Sequence, residues 1–260
     1  MLDERECNRL AAALHGALRD RSPIAPFSKT HAEIDIDDAY RISRAFLDRR
    51  KAEGERVIGK KIGVTSAVVQ KMLGIDRPDF GFLTDAMWCR DCIVDTVALI
   101  APRAEAEIAF RLAEDLVGPG ITPADVLDAT ECVMPCFEIV DSRIRDWRIG
   151  ICDTIADNAS CGLFVLGTAE SPPASLDLKR LHVTVHKNGE FLSEGAASMV
   201  QGAPENAVAW LANTLGQYGI PFRAGEVILS GSLVPLEDAV QGDVFRMDIP
   251  GLGGAEVRFT

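Results

Sequence analysis

From residue 93 to the C-terminus the chain is written as short apolar runs separated by glycine and turn residues, so β-structure must dominate this part of the fold. EVILSGS, DVFRMDI and AEVRF are short strands with glycine between them. LHVTVHKNGEFLSEG is a hairpin candidate, because Asn188 and Gly189 suit a type I′ turn between two alternating runs. Two helices interrupt the strands, a short one at 123 to 129 and PENAVAWLANTLGQYG, which ends at Gly219. Helical signals otherwise gather at the N-terminal end. Cys7, Leu10, Ala11, Leu14 and Leu18 recur at helical spacing, and a second helix runs from Asp37 to Glu53 with Ala39, Ile42 and Phe46 as its apolar stripe and Gly54 as its stop. VIGKKIGV reads as a strand leading to Ser66, an N-cap for a short helix that stops near Gly74, and IDRPDFGFLTDAM reads as irregular. No dinucleotide-binding glycine motif, phosphate-binding loop or fixed-period repeat occurs. The pattern describes a β-rich α+β chain.

A formal charge of −12 disfavours nonspecific binding to nucleic acid or to an anionic membrane. An anionic ligand would need a local positive site. The N-terminal MLDERECNRL lacks an apolar core, and no later stretch approaches the roughly 20 apolar residues that cross a bilayer, so a cytoplasmic location is expected. Seven scattered cysteines fit reduced thiols, and the lone Cys89-x-x-Cys92 has too few neighbouring ligands for a closed zinc site.

The stretch PRAEAEIAF, residues 102 to 110, puts two carboxylates into a run that otherwise builds a core. If it is a strand, Arg103, Glu105, Glu107 and Arg111 share one face, with the glutamates about 7 Å apart at ~3.3 Å per residue. Such a pair is also common on a solvated strand face. Glu138, set among the apolar residues of CVMPCFEIVDSRI, adds a third carboxylate, and Pro135 beside it suggests an edge strand or a bulge. Three carboxylates without a nearby histidine favour a hard cation over zinc. The histidines at 15, 31, 182 and 186 fall in the first helix, a loop and the hairpin, where structural or solvated roles suffice. An anionic substrate at such a centre would need a further cation, for which Lys61 is the candidate, with Lys60 directed to the opposite face.

The blocks GERVIGKKIGVTS, RPDFGFLTDAM, PRAEAEIAF, ECVMPCFEIVDSRIRDW, DTIADNASCGLFVLG and LANTLGQYGIPFRAGEVILSGSLVP, in this order, resemble the 2-oxopent-4-enoate (2-hydroxypenta-2,4-dienoate) hydratases of aromatic meta-cleavage pathways, within the fumarylacetoacetate hydrolase-like superfamily. The likeness runs from Asp37 to Thr260. It implies a mixed β roll or barrel with peripheral helices, divided into a mainly helical segment 1–60 and a catalytic domain 61–260. It also implies Mg²⁺ or Mn²⁺ on Glu105, Glu107 and Glu138, Lys61 and Asp79 as catalytic groups, and Ser160, Gly231 and Ser232 at the substrate. The implied activity is hydration of 2-hydroxypenta-2,4-dienoate to 4-hydroxy-2-oxopentanoate by a homo-oligomer able to associate with 4-oxalocrotonate decarboxylase. Two other readings remain: that decarboxylase itself, or its noncatalytic partner subunit.

Overall fold

The computed structural model describes residues 1–66, 70–71 and 77–260. The helix expected between Ser66 and Gly74 lies largely outside the described residues. The described helices are α1 (Glu4–Asp20), α2 (Phe27–Thr30), α3 (Ile36–Ala52), α4 (Pro123–Ala129), α5 (Ile151–Ala156) and α6 (Pro204–Gly216). The strands are β1 (Val57–Gly63), β2 (Asp79–Thr84), β3 (Ile93–Val94), β4 (Pro102–Leu112), β5 (Thr130–Asp141), β6 (Cys161–Leu166), β7 (His182–Lys187), β8 (Glu190–Ala196), β9 (Val227–Leu229), β10 (Glu237–Asp238), β11 (Val244–Ile249) and β12 (Gly253–Phe259). None of the described helices is long and apolar enough to cross a membrane.

The N-terminal helices begin where acidic side chains cap them: Asp3 accepts from the Glu6 amide and Asp35 from the Asp38 amide. Leu10, Ala11 and Leu14 of α1 pack on Ala39, Ile42 and Phe46 of α3, and Ile144 and Ile155 close the cluster from below. Ile42 and Phe46 are fully buried, and each such side chain contributes about 1.5–3 kcal/mol. This helical layer therefore rests on the segment that follows β5, not on the sheet alone.

Two sheets form the body. One has the order β2-β1-β9-β4-β5-β6, with β10 pairing β4; the other runs β3-β12-β11-β7-β8. Phe137 of β5 meets Phe245 of β11 edge to face, with ring centroids 6.3 Å apart, and that contact joins the sheets. The long strand β4 is the axis of the first sheet. It pairs with β5 along its whole length, while its other edge is shared by β9 at one end and β10 at the other. Between β9 and β10 the chain keeps touching β4, through Ser230 N–H to the Ile108 carbonyl and Leu233 N–H to the Ala106 carbonyl.

The sequence pattern is met in the hairpin, where Asn188 and Gly189 both have positive φ between β7 and β8. Three expectations need correction. The RPDFGFLTDAM stretch, read as irregular, contains β2, whose six residues are all buried. Gly81 is required there, since a Cβ would come within 2.5 Å of the Asn158 carbonyl oxygen. β5 is an interior strand, not an edge, and its own extra residue is Glu131, skipped between Thr130 and Cys132 in the register with β4, away from Pro135. Proline is tolerated because pairing with β6 ends at Cys136 opposite Leu166; beyond it, Pro135 offers only its carbonyl, to Gly167 N–H at 2.8 Å. Finally, α6 stops at Gly216, and the residues up to Gly219 form a turn. α2 and α5, too short to show a period, were not expected.

Candidate active site

Alternation along β4 sets Glu105 and Glu107 on one face, and the register with β5 places Glu138 directly opposite Glu105. Each of the three offers a carboxylate oxygen within 4.8 Å of the others, a grouping able to hold a metal ion. Glu138 and Glu107 are buried; Glu105 remains partly accessible. Glu107 Oε2 accepts the Gly231 amide at 2.8 Å, whereas its Oε1 has no partner. Gly231 has φ +108, and a Cβ there would press within 2.5 Å of the Thr65 side chain. Only glycine lets this turn approach the glutamate.

The neighbouring strands bring the other charges. Lys61 on β1 reaches to 3.2 Å from Glu138 Oε1, and both side chains are almost wholly buried. Asp79, the first residue of β2, lies opposite Gly63, where a Cβ would approach Asp79 Oδ1 to 2.3 Å. Its Oδ2 faces the Thr154 hydroxyl at 3.4 Å, Thr154 faces the Ser160 hydroxyl at 3.3 Å, and Oδ1 has no partner. The expected split between the two lysines holds. Lys60 points to the other side, where it pairs with Glu226 and approaches the Phe222 ring. It too is buried, so neither lysine is a solvated surface charge.

Burial disfavours charge on these carboxylates, and mutual repulsion adds to the effect. Glu105 is pushed up from 4.5 to about 7, first by burial and then by Glu138. Glu107 rises well above the usual carboxylate range for the same reasons, and burial raises Asp79 against the opposing pull of Lys61. For Lys61, burial opposes the charge, but Glu138, Asp79 and Glu105 outweigh it and hold the ammonium protonated.

Above the carboxylates opens a cavity of about 380 Å³, lined by Lys61, Asp79, Glu105, Ser160 and Ser232 among the residues expected from sequence. Gly231 is not in the lining; its amide is spent on Glu107. Ser232 lines the wall but donates its hydroxyl to the Val234 carbonyl at 2.7 Å. Ser160 ends a turn in which Asn158, Ala159 and Ser160 all have positive φ, an uncommon conformation for such residues. Asn158 locks that turn by pairing its side-chain amide with both backbone groups of Phe82. Arg103, Trp147, Ile149 and Thr154 also line the cavity and were not singled out from the sequence. Arg103 had a signal, since it shares the face of Glu105; Trp147 arrives from the connection after β5 and Thr154 from the short helix α5, and they had none.

A family model described as fumarylacetoacetate (FAA) hydrolase C-terminal matches residues 65–260, and the chain belongs to that family. It is 56% identical over 263 residues, covering all of both chains, to a 2-hydroxyhexa-2,4-dienoate hydratase of Comamonas testosteroni. A 2-hydroxypent-2,4-dienoate hydratase of Pseudomonas putida is 55% identical over 84% of this chain and 100% of its own. Among solved structures, 4-oxalocrotonate decarboxylase from Pseudomonas putida G7, complexed with magnesium and adipate, matches with a TM-score of 0.96 at 32% identity, covering 100% of this chain and 99% of its own.

Proposed function

We propose that this chain is a divalent-metal-dependent hydratase that converts 2-hydroxypenta-2,4-dienoate, or a short alkyl-substituted relative, to the 4-hydroxy-2-oxo acid. The observation that carries the reading is the triangle of partly accessible Glu105 with buried Glu107 and Glu138, in which Glu107 Oε1 is unpartnered. Buried carboxylates packed this closely repel one another, and a cation removes the cost. The all-oxygen donor set fits Mg²⁺ or Mn²⁺. When bound, such an ion supplies a Lewis acid for the substrate carboxylate and 2-oxygen. Full-length identity of 56% to a dienoate hydratase supports the substrate class.

The side chains then divide the work. Lys61, anchored on Glu138, is a fixed positive charge that supports the negative charge developing on the substrate 2-oxygen. Asp79 lines the cavity, has an Oδ1 without a hydrogen-bond partner and is the proton carrier. It takes the 2-hydroxyl proton and delivers one to carbon 5, which leaves a 2-oxo-3-enoate with an electrophilic carbon 4 and returns Asp79 to its ionised form. Water adds at carbon 4, losing its proton along the Asp79, Thr154 and Ser160 side chains, and carbon 3 is protonated to give the product. Ser232 shapes the wall, and Gly231 acts on the substrate through its hold on Glu107.

The same reading makes the chain a cytoplasmic homo-oligomer able to associate with a 4-oxalocrotonate decarboxylase. A decarboxylase activity is the second reading, favoured by the TM-score of 0.96 to that enzyme and opposed by an identity of 32%, well below that to the hydratases. Freshly generated 2-hydroxypenta-2,4-dienoate should lose its absorbance and yield 4-hydroxy-2-oxopentanoate with Mg²⁺ or Mn²⁺, and should persist when a chelator is present. Turnover undiminished by the chelator would sink the metal assignment, and carbon dioxide release from 2-oxohex-3-enedioate would favour the decarboxylase.

A further inference from the structure

The outer half of the cavity carries a second cation that the proposed chemistry does not use. Among the described lining residues Lys61 and Arg103 are the only lysine or arginine, and Lys61 is committed to Glu138. Arg103 lies two residues before Glu105 on the same face of β4, about 7 Å along the strand at ~3.3 Å per residue. The six-carbon backbone of a linear dicarboxylate has a comparable length. A substrate gripped at Glu105 by its 2-oxo acid end could thus bring a distal carboxylate to Arg103.

That guanidinium is held back by two neighbours. Asp238 of β10, its direct cross-strand partner, puts Oδ1 at 2.7 Å from Arg103 Nε, an ion pair at the exposed edge of the sheet without hydrogen-bond alignment. The Trp147 ring stacks under it, with 4.6 Å from the guanidinium carbon to the ring centre, and the indole N–H donates to the Ala101 carbonyl at 2.9 Å, which fixes the ring. Val140 stands opposite Arg103 on β5, and Ile149, Val234 and Leu236 add apolar surface to the lining. A second carboxylate would meet a neutralised pair and apolar side chains. An uncharged tail would meet favourable surface.

We infer that Asp238 is a specificity-determining residue: by occupying Arg103 at the cavity mouth, it makes the site select 2-oxo acids with uncharged tails over dicarboxylates. The inference rests on the proposed reading of the site. Asp238 does not line the cavity, so its effect passes through Arg103 and the charge at the mouth.

The test is binding of two unreactive probes of equal length, 2-oxohexanoate and 2-oxohexanedioate, to the Mg²⁺-loaded full chain by calorimetry. Wild type should prefer 2-oxohexanoate. Asp238→Asn should tighten 2-oxohexanedioate about tenfold, the equivalent of one new unlike-charge pair near the surface, and leave 2-oxohexanoate within about twofold. Asp238→Glu should keep the wild-type preference, and adding Arg103→Gln to Asp238→Asn should abolish the improvement. An unchanged ratio in Asp238→Asn, or an improvement that survives loss of Arg103, overturns the inference while leaving the hydratase reading intact. Failure of wild type to bind either probe would overturn both.

Discussion

Two groups of buried or largely buried charges sit near each other in the chain, and they are built on opposite rules. Arg143 and Asp157, both wholly buried, are saturated: Arg143 Nε donates to Asp157 Oδ1 at 2.6 Å, its amide donates to Oδ2 at 2.9 Å, and its Nη1 reaches the Cys161 carbonyl at 2.9 Å. The triangle of Glu105, Glu107 and Glu138 is left open, with Glu107 Oε1 unpartnered and with burial, then mutual repulsion, raising the pKa values of Glu105 and Glu107. A buried charge that serves the fold has its hydrogen bonds filled, whereas a group kept for a ligand retains unused capacity at a cost in stability. Burial and charge alone would not separate these clusters. The count of unfilled acceptors does.

The largest expected effect falls on the open cluster. Glu107→Gln should lower kcat/KM by about three to four orders of magnitude, about 4–5.5 kcal/mol of transition-state stabilisation, because the proposed ion would lose a charged ligand. Melting of the metal-free variant should stay at or above that of wild type, because repulsion is relieved. A variant that is both active and destabilised would erase the distinction between the clusters. Next in size is the saturated cluster, where Arg143→Met strands Asp157 and should cost about 3–5 kcal/mol in denaturant unfolding. A loss below about 1 kcal/mol would show that the pair is not structural.

The smallest effect is a pH dependence that sharpens the comparison. Glu105 in the folded, metal-free chain has its pKa raised from 4.5 to about 7, so between these values the folded state binds more protons than the unfolded one. Stability of the metal-free protein should therefore fall as pH rises from about 4.5 through about 7. Saturating Mg²⁺ should flatten or reverse that slope, since a bound cation favours the charged carboxylates. A slope unaffected by Mg²⁺ in thermal melts across this range would argue against a shared ion site.

The parts of the site legible in the sequence are those that lie within one element. The alternation in PRAEAEIAF placed Glu105 and Glu107 on a common face, and the helical stripes around Leu10 and Phe46 marked the N-terminal layer. What was not legible depends on register and on distant segments. That Glu138 stands opposite Glu105 follows from the pairing of β4 with β5, which no local pattern reveals. β2 was hidden because Pro78 and Gly81 read as breakers, although Gly81 is there to admit the backbone of Asn158. Trp147 and Asp238 reach Arg103 from segments far apart in the chain, and their meeting is a product of tertiary structure.

The facing of Glu105 and Glu138 across one rung of an antiparallel ladder has a further consequence. Their separation is dictated by main-chain geometry in the middle of a sheet, so it is insulated from changes in the connections that supply Trp147, Ile149 and Val234. The rim can therefore be exchanged while the floor stays in place, and new substrates or reactions arise without rebuilding the carboxylate cluster. That modularity suits a fold in which a hydratase and a decarboxylase share nearly one backbone.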